Sequence, residues 1–439
     1  MNGRENLENL LNLANIPELK RRLFYLFLGL AIYRLAVHIP APGINAEAFL
    51  SLFQKAGGTI FSVLDIFSGG ALRRFSICAL GVMPYISASI ILQLMTAVYP
   101  EIKELYKEGP EGKRKLAYYT RYLTVFICLI QGFGIALGLE KMTSPTGIPI
   151  VNEPGWMFRI TTMVSLTAGS MFLVWLGEQM TEHGIGNGIS MIIYAGIVAS
   201  IFPATIRTLK FVQTGEFSIM GLLLILALLF GILAFCCFME LAQRRIPIHY
   251  ARRQIGRQIV GGQSTYLPLK VNTAGVIPPI FAVSILMFPA TIANFVPIRF
   301  FQQISNFLRP GAWFYEFIYA VLIIFFCYFY TAIIFNPKEV ADNLKKWGGF
   351  VPGIRPGRAT EEFLDKILMR ITLVGALYVA FICILPSFLI YKLKLPFYFG
   401  GTSLLIVVGV AMDVMGHIEA HLLTRQYETF IKQAKIKTR

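Results

Sequence analysis

Ten apolar runs, each long enough to cross a lipid bilayer, constrain this chain more than any other feature of its sequence. A transmembrane helix needs about 20 predominantly apolar residues. Only 15% of the 439 residues are charged, and the mean hydropathy is +0.63, so the chain has too few charges for a water-facing surface of this size. The sequence therefore predicts an all-α polytopic membrane protein. The ten predicted spans are Leu23–Ile39, Ile77–Val98, Tyr118–Leu139, Met157–Leu176, Gly188–Ile206, Ile219–Phe238, Gly275–Phe295, Trp313–Phe335, Ile371–Tyr391 and Phe399–Ala420.

The distribution of lysine and arginine predicts the orientation of these spans. An even number of spans places both termini on the same side, and that side carries 27 basic residues against 10 on the other. By the positive-inside rule the termini are predicted to be cytoplasmic. The first twenty residues have no cleavable apolar core, so we expect the first span itself to direct insertion. All six cysteines lie in apolar runs, which favours small buried side chains over disulfides or thiolate metal sites.

The segment between the first two spans does not fit this pattern. Its apolar stretch Thr59–Ser68 lies between the glycine pairs Gly57-Gly58 and Gly69-Gly70. At 1.5 Å per residue it reaches only about half-way across a bilayer. The residues alone leave two interpretations open. The segment is either a re-entrant helix shielded by a protein-lined cavity or a helix lying on the outer leaflet.

Two long basic segments, 240–272 and 336–370, are predicted to be cytoplasmic. The alternating pattern of RIPIHYARRQ and STYLPLKVN in the first predicts a β-ribbon that turns at Gly261-Gly262. In the second, the run VPGIRPG predicts a proline-stiffened turn that presents Arg355. The alternative is that these charges only fix topology and contact lipid headgroups. The arginines predicted near the ribbon tip are Arg252, Arg253 and Arg257.

A short internal repeat links the second and seventh spans. The run PYISASI occupies residues 84–90, and PIFAVSI occupies residues 279–285. The two runs are five spans apart, and five is odd, so a repeat of that size is inverted in the membrane. Small residues that favour helix packing also produce such matches by chance.

Motifs for catalysis or for driven transport are weak in this sequence. There is no phosphate-binding run of the G-x-x-x-x-G-K-[ST] type. Asp413, His417 and His421 share one face of the tenth span, which leaves open a metal or catalytic site, although hydrated polar groups near a helix end are the simpler interpretation. Arg34 is the main charge in the middle of a span. Without a series of buried carboxylates to couple ions, we expect a conduit whose cargo is moved by a partner.

Several stretches, in order along nearly the whole chain, carry a family resemblance. They are DIFSGGALRR, ALGVMPYISASIILQL, GIGNGISMIIYAGIV, QSTYLPLKVNTAGVIPPIF, LMFPATIA, GGFVPGIRPGRATEEFL and YFGGTSLLIVVGVAMD. They resemble SecY, the SecY/Sec61-alpha family of pore subunits of protein-conducting channels. The resemblance implies ten transmembrane helices in two inverted five-helix halves around a central pore. It also implies a gated passage for unfolded polypeptides, without enzymatic activity, cofactor or metal.

The resemblance also assigns the half-length segment and the pore. It implies that residues 57–75 form a short re-entrant plug helix in the outer funnel, with the glycine pairs as hinges. The plug residues would be Ile60, Phe61, Leu64, Ile66 and Phe67. A narrow ring of branched aliphatic side chains dewets and blocks ions. The ring residues would be Val82, Ile86, Ile189, Ile193, Ile280 and Ile406, and Val82 departs from an all-isoleucine ring.

A lateral gate and a docking surface complete what the resemblance implies. The gate would lie between the second and seventh spans and release membrane segments into lipid. Its candidate residues are Ser87, Ile90, Ile91, Gln131, Asn272, Ser284, Phe288 and Ile292, with Gln131 and Asn272 forming a polar contact with Ser87. The candidates for docking a SecA ATPase or the ribosome, through ribosomal RNA phosphate, are Arg252, Arg253, Arg257, Arg355 and Arg358. Further implied partners are SecE-like and SecG-like membrane subunits, signal sequences, unfolded preproteins and the lipid bilayer.

These expectations define a domain plan and one competing function. The plan comprises a cytoplasmic segment 1–22, an N-terminal half 23–206, a periplasmic hinge loop 207–218, a C-terminal half 219–421 and a cytoplasmic tail 422–439. The expected location is the bacterial inner membrane. The competing function is a secondary transporter of a small solute, which would use the inverted repeat as a rocking bundle. An aliphatic ring without coupling acids argues against it.

Overall fold

The computed structural model is mainly helical. It describes residues 17–55, 65–141, 149–215, 218–250, 253–255, 258–260, 264–295, 312–393 and 401–436. Its helices are α1 (Pro17–Ala36), α2 (Ala46–Lys55), α3 (Met83–Val98), α4 (Pro100–Lys107), α5 (Pro110–Lys141), α6 (Trp156–His183), α7 (Gly188–Gln213), α8 (Ile219–Leu241), α9 (Ile277–Phe295), α10 (Trp313–Ile334), α11 (Pro337–Lys346), α12 (Arg358–Leu393) and α13 (Gly401–Ile436).

Each of the ten predicted spans coincides with a helix. In chain order these helices are α1, α3, α5, α6, α7, α8, α9, α10, α12 and α13. Within the described residues, seven stretches are both long and apolar enough to cross a membrane unaided. The other three spans are α1, which carries several charges, and the shorter apolar helices Met83–Thr96 and Ile277–Leu286. The prediction of a polytopic all-α membrane protein is confirmed.

Helix bounds differ from the predicted spans where turns or charged extensions intervene. The second span was predicted from Ile77, but α3 begins at Met83, because residues 77–82 form turns and Gly81 has φ +59°. At 1.5 Å per residue, α3 is only about 24 Å long. In contrast, α5 and α12 extend well beyond their apolar runs at their N-terminal ends, since polar helix formers carry the helix into water. The helix α7 continues to Gln213, inside the predicted hinge loop.

The predicted cytoplasmic β-ribbon is present, but its turn was placed wrongly. Strand β1 (Gln243–Tyr250) pairs antiparallel with β4 (Ser264–Lys270). Beyond them, β2 (Arg253–Ile255) pairs with β3 (Gln258–Val260), so the chain reverses between these two short strands. The turn is therefore not at Gly261-Gly262. Alternation identifies strands, but it does not fix which of several glycines closes the hairpin.

A fifth strand joins the two predicted cytoplasmic segments. Strand β5 (Gly349–Phe350) pairs antiparallel with β1 through His249 and Tyr250, giving the strand order β4-β1-β5. Beneath the sheet, a small hydrophobic cluster buries Ile246, Leu269, Val351 and Leu364. The ribbon and the VPGIRPG loop are therefore parts of one packed unit.

Two further hydrophobic clusters lie among the spans. The larger one draws residues from α1, α3, α6–α10, α12 and α13, and so from both predicted halves. The smaller one, which we call the outer cluster, joins α2 and the ends of α5 and α6 to Leu72, Phe75 and Ala79. The outer cluster includes Phe49 and Phe75, whose rings meet edge-on with centroids 5.3 Å apart. It anchors the chain between the half-length segment and α3.

Candidate functional site

Six aliphatic side chains from four separate helical regions lie in the larger cluster or pack against it. Val82, Ile86, Ile193, Ile280 and Ile406 are buried in it, each at most 8% exposed. Ile189 is half-buried and packs against the same cluster. These are the six predicted ring residues, and each belongs to this cluster or packs against it. Because the cluster is large, their role in lining a pore stays a prediction.

Local features of the sequence place the α3 and α7 members of this set. Val82 is the residue immediately before α3, so it lies one turn ahead of Ile86. On α7, the Asn187 side chain caps the helix by accepting hydrogen bonds from the backbone N–H groups of Ile189 (3.0 Å) and Ser190 (3.2 Å). This cap starts the helix directly before Ile189 and puts Ile193 one turn further along the same face.

The half-length segment enters the same cluster at its C-terminal end. Ile66 and Phe67 form part of a helical turn at residues 65–67, and Phe67 is only 4% exposed. Phe67 belongs to the larger cluster, and Ile66 packs against it. The other predicted plug residues, Ile60, Phe61 and Leu64, lie outside the described residues. The described part of the segment is therefore buried within the protein.

The turn formed by residues 68–70 is held by two side chains that the sequence did not connect to it. The buried Tyr33 hydroxyl donates a hydrogen bond to the Ser68 carbonyl (3.2 Å), and Arg34 Nη1 donates one to the Gly69 carbonyl (2.9 Å). The only sequence signal was the mid-span charge of Arg34, which predicts a functional role without naming a partner.

An acidic side chain closes the same turn from within. The Asp65 Oδ1 atom accepts a hydrogen bond from the Arg73 backbone N–H (2.9 Å), and the Asp65 carbonyl accepts one from the Gly70 N–H (2.9 Å). Gly69 and Gly70 have φ +67° and +87°, which explains the glycine pair at this position.

The predicted gate helices are in contact. Helix α9 packs against both α3 and α5. On α3, Ile90 is buried, Ser87 is half-buried and Ile91 is 40% exposed. On α9, Ser284 is half-buried, and its hydroxyl donates to the Ile280 carbonyl (2.8 Å). The side chains of Phe288 and Ile292, also on α9, lie outside the description.

Asn272 was predicted to make a polar contact with Ser87, but its described hydrogen bonds go to other residues. The Asn272 side chain is buried, and its amide donates to Glu240 Oε1 (2.6 Å) and to the Gly275 carbonyl (3.3 Å). Both acceptors belong to the predicted C-terminal half. Gln131 is half-buried on α5. Among the described hydrogen bonds, Asn272 therefore ties together the start of α9 and the end of α8.

The basic docking candidates divide into described and undescribed residues. Arg355 is exposed in the loop after β5, and its carbonyl accepts a hydrogen bond from the Thr360 hydroxyl (2.9 Å). Arg358, 90% exposed, pairs with Glu362 one helical turn away (3.4 Å). Arg253 lies in β2, but its side chain is not described, and Arg252 and Arg257 lie outside the described residues.

The histidine face of α13 carries an exposed pair. His417 Nε2 lies 3.8 Å from Asp413 Oδ1, and both side chains are more than half exposed. His421 is also exposed. Within the described residues, no group of three or more His, Cys, Asp or Glu side chains could hold a metal ion. Asp413 and His417 are thus solvent-accessible side chains one helical turn apart.

These features define a polytopic helical membrane protein whose two sets of helices meet around a central aliphatic cluster, with a re-entrant segment packed into it. The model of the SecY family matches residues 76–415. The chain therefore belongs to the SecY family.

Curated relatives and solved structures agree with this assignment. The protein translocase subunit SecY of Escherichia coli strain K12 is 52% identical over 428 residues, which is 97% of this chain and 96% of that protein. A solved protein-conducting channel gives a TM-score of 0.67 at 18% identity, covering 92% of both chains. A SecY structure whose plug domain stabilises the closed state gives 0.64 at 18% identity. Sec61 from a canine ribosome-channel complex gives 0.63 at 17% identity, and both of these also cover 92% of each chain.

Proposed function

We propose that this chain is the central pore subunit of a protein translocation channel, which passes unfolded polypeptides across the membrane. One observation carries the proposal. Aliphatic side chains from α3, α7, α9 and α13, contributed by both predicted halves, converge on one cluster that also holds Phe67 of the half-length segment. Branched aliphatics offer no hydrogen bonds, so they accept many passing side chains and resist ions when the ring is narrow.

The aliphatic ring and the half-length segment together account for a closed state of the pore. Val82, Ile86, Ile189, Ile193, Ile280 and Ile406 form the constriction, and residues 57–75 form the plug that seals it from the outer side. The burial of Phe67 supports a plug inside the protein rather than a helix on the outer leaflet. The SecY structure with a stabilising plug domain supports the same assignment by analogy.

The seam between α3 and α9 is the lateral gate for signal sequences and membrane segments. Its contact is short, because α3 is shorter than the apolar layer of a bilayer, and the gate candidates on the two helices include the small polar residues Ser87 and Ser284. Interhelical contacts of this kind are weak and exchangeable in lipid. A seam built this way separates at lower energetic cost than one of interlocked large side chains.

The cytoplasmic sheet and the Arg355 loop are the docking surface. The ribosome is one partner, supported by the Sec61 structure from a ribosome-channel complex. A SecA ATPase is the motor partner for finished chains, and SecE-like and SecG-like subunits complete the channel. Arginine suits this surface because its planar fork pairs with either phosphate or carboxylate. The chain resides in the bacterial inner membrane with both termini in the cytoplasm, in agreement with its basic cytoplasmic segments.

The proposal is tested by removing the plug. We expect deletion of residues 59–68, in the channel complex reconstituted into vesicles, to raise resting ion conductance while polypeptide translocation continues. The matched control is deletion of residues 142–147, which lie between α5 and α6 in the sequence. Wild-type conductance in the plug deletion would reject the plug. Uptake of a small solute with no polypeptide transport would instead favour the transporter.

A further inference from the structure

The backbone of the turn at residues 68–70 accepts hydrogen bonds from two side chains of helix α1. Tyr33, 1% exposed, and Arg34 are adjacent on α1, and they donate to the consecutive carbonyls of Ser68 and Gly69. A hydroxyl and a guanidinium at membrane depth are costly unless they are hydrogen-bonded. Moving the turn away without a replacement acceptor therefore leaves both donors unpaired and raises the free energy of the protein.

The other side of the turn rests directly on helix α7. A side chain at Gly69 would bring its Cβ within 2.9 Å of the Gly196 Cα, and one at Gly196 would come within 3.1 Å of the Gly69 Cα and 3.0 Å of the Tyr33 hydroxyl. A Cβ at either position would force one of the two backbones to shift, and Gly69 also has φ +67°. The turn is thus held between α1 and α7, and α7 also carries Ile189 and Ile193.

The chain on either side of the turn is fixed by different contacts. Downstream, the outer cluster holds Leu72 and Phe75, and the Ile77 N–H donates to the Ile39 carbonyl (3.0 Å). Upstream, Phe67 packs in the larger cluster. Residues 68–70 therefore form the junction between a fixed anchor and the part of the segment that packs in the larger cluster.

We propose that Tyr33 and Arg34 are positioning residues that hold the plug in its closed position, by binding the carbonyls of Ser68 and Gly69. This inference rests on the proposed function of residues 57–75 as a plug. Neither residue belongs to the predicted ring. They stabilise the closed position of the plug only through their hydrogen bonds to the turn. Both residues and Gly196 belong to the N-terminal half, so parting of the two halves does not by itself break these bonds.

The test measures resting ion conductance of the reconstituted channel complex with Tyr33→Phe and Arg34→Met. Tyr33→Phe removes one hydroxyl, and we expect roughly a fivefold increase, the factor that corresponds to one ordinary hydrogen bond. Arg34→Met removes a charged donor while keeping side-chain length, and we expect at least about a tenfold increase. Arg21→Met is the matched control. Arg21 is exposed on the same helix, lies over the Tyr25 ring, and makes no described hydrogen bond to the turn. We expect Arg21→Met to leave the conductance near wild type.

The deletion of residues 59–68 separates this role from general damage to the fold. In that background Tyr33→Phe and Arg34→Met have no plug to release, so we expect no further increase in conductance. A further increase would show that they act elsewhere and would overturn the inference. Wild-type conductance of both single variants would also overturn it, provided that the deletion itself leaks. A deletion that does not leak would instead reject the plug, and with it the proposed closure of the pore.

Discussion

At the scale of single residues, charged side chains at the ends of α5 and α6 form two ion pairs that tie these helices together. Arg159 donates from Nε and Nη2 to the Glu140 carboxylate, and the Gly155 N–H adds a third donor to it. At the opposite end, Arg121 pairs in the same forked geometry with Glu178. The Glu140 side chain is 10% exposed, compared with 25% for Glu178.

The difference in burial predicts a difference in stability. We expect Glu140→Gln to lower the midpoint of thermal unfolding in detergent by more than Glu178→Gln, since a less exposed pair is less screened and the Gly155 N–H also loses a charged acceptor. Thermal unfolding of the purified chain with its channel partners measures both. Lys115→Gln is the control, because its pair with Glu108 has both side chains more than half exposed. Equal midpoints for the two glutamate variants would contradict the prediction.

Residue types alone were enough to predict some members of the site and not others. The spacing of Ile189 and Ile193 on one helix face follows from the sequence. The partners of Tyr33 and Arg34 do not, because they are backbone carbonyls, which every residue possesses. The role of Gly196 was equally hidden, since a glycine within an apolar run gives no sign of what approaches it.

At the scale of secondary-structure elements, long apolar runs and strand alternation were predictive, whereas short elements were not. All ten spans are helices, and the β1–β4 ribbon is present. The two-residue strand β5 carries no periodic signal, and its pairing with β1 depends on contacts across a hundred residues. The start of α3 was also missed, because residues 77–82 are apolar and yet form turns.

The β5 strand gives the Arg355 loop a fixed base, which leads to a prediction about docking. Reversing the charge with Arg355→Glu should sharply reduce motor-driven translocation and leave insertion of membrane segments intact, because the loop keeps its β1 contact and only the recognition charge changes. The two rates are measured separately in reconstituted vesicles. Lys338→Glu is the control, since Lys338 is an exposed basic residue of α11 that lies outside the sheet and the Arg355 loop. Motor-driven rates at the wild-type level for Arg355→Glu would reject that role.

At the scale of the whole molecule, the contacts described above fall into those within one predicted half and those between the two halves. The Tyr33, Arg34 and Gly196 contacts, the outer cluster and the α5–α6 ion pairs all lie within the N-terminal half. The Asn272–Glu240 bond and the cytoplasmic sheet lie within the C-terminal half. The α9 contacts with α3 and α5 cross between the halves. Opening along that seam therefore leaves each half internally intact.

A disulfide across the seam tests this division of the molecule. In a variant with the six native cysteines replaced, Ser87→Cys and Phe288→Cys place one thiol on α3 and one on α9. We expect oxidation to cross-link them and to stop polypeptide translocation, and reduction to restore it, because the two halves can then no longer part. Each single-cysteine variant under the same oxidant is the control. A stalled polypeptide in the channel should prevent cross-linking, since it holds the seam open. Translocation that continues at the wild-type rate through a fully cross-linked channel would show that opening does not require this seam.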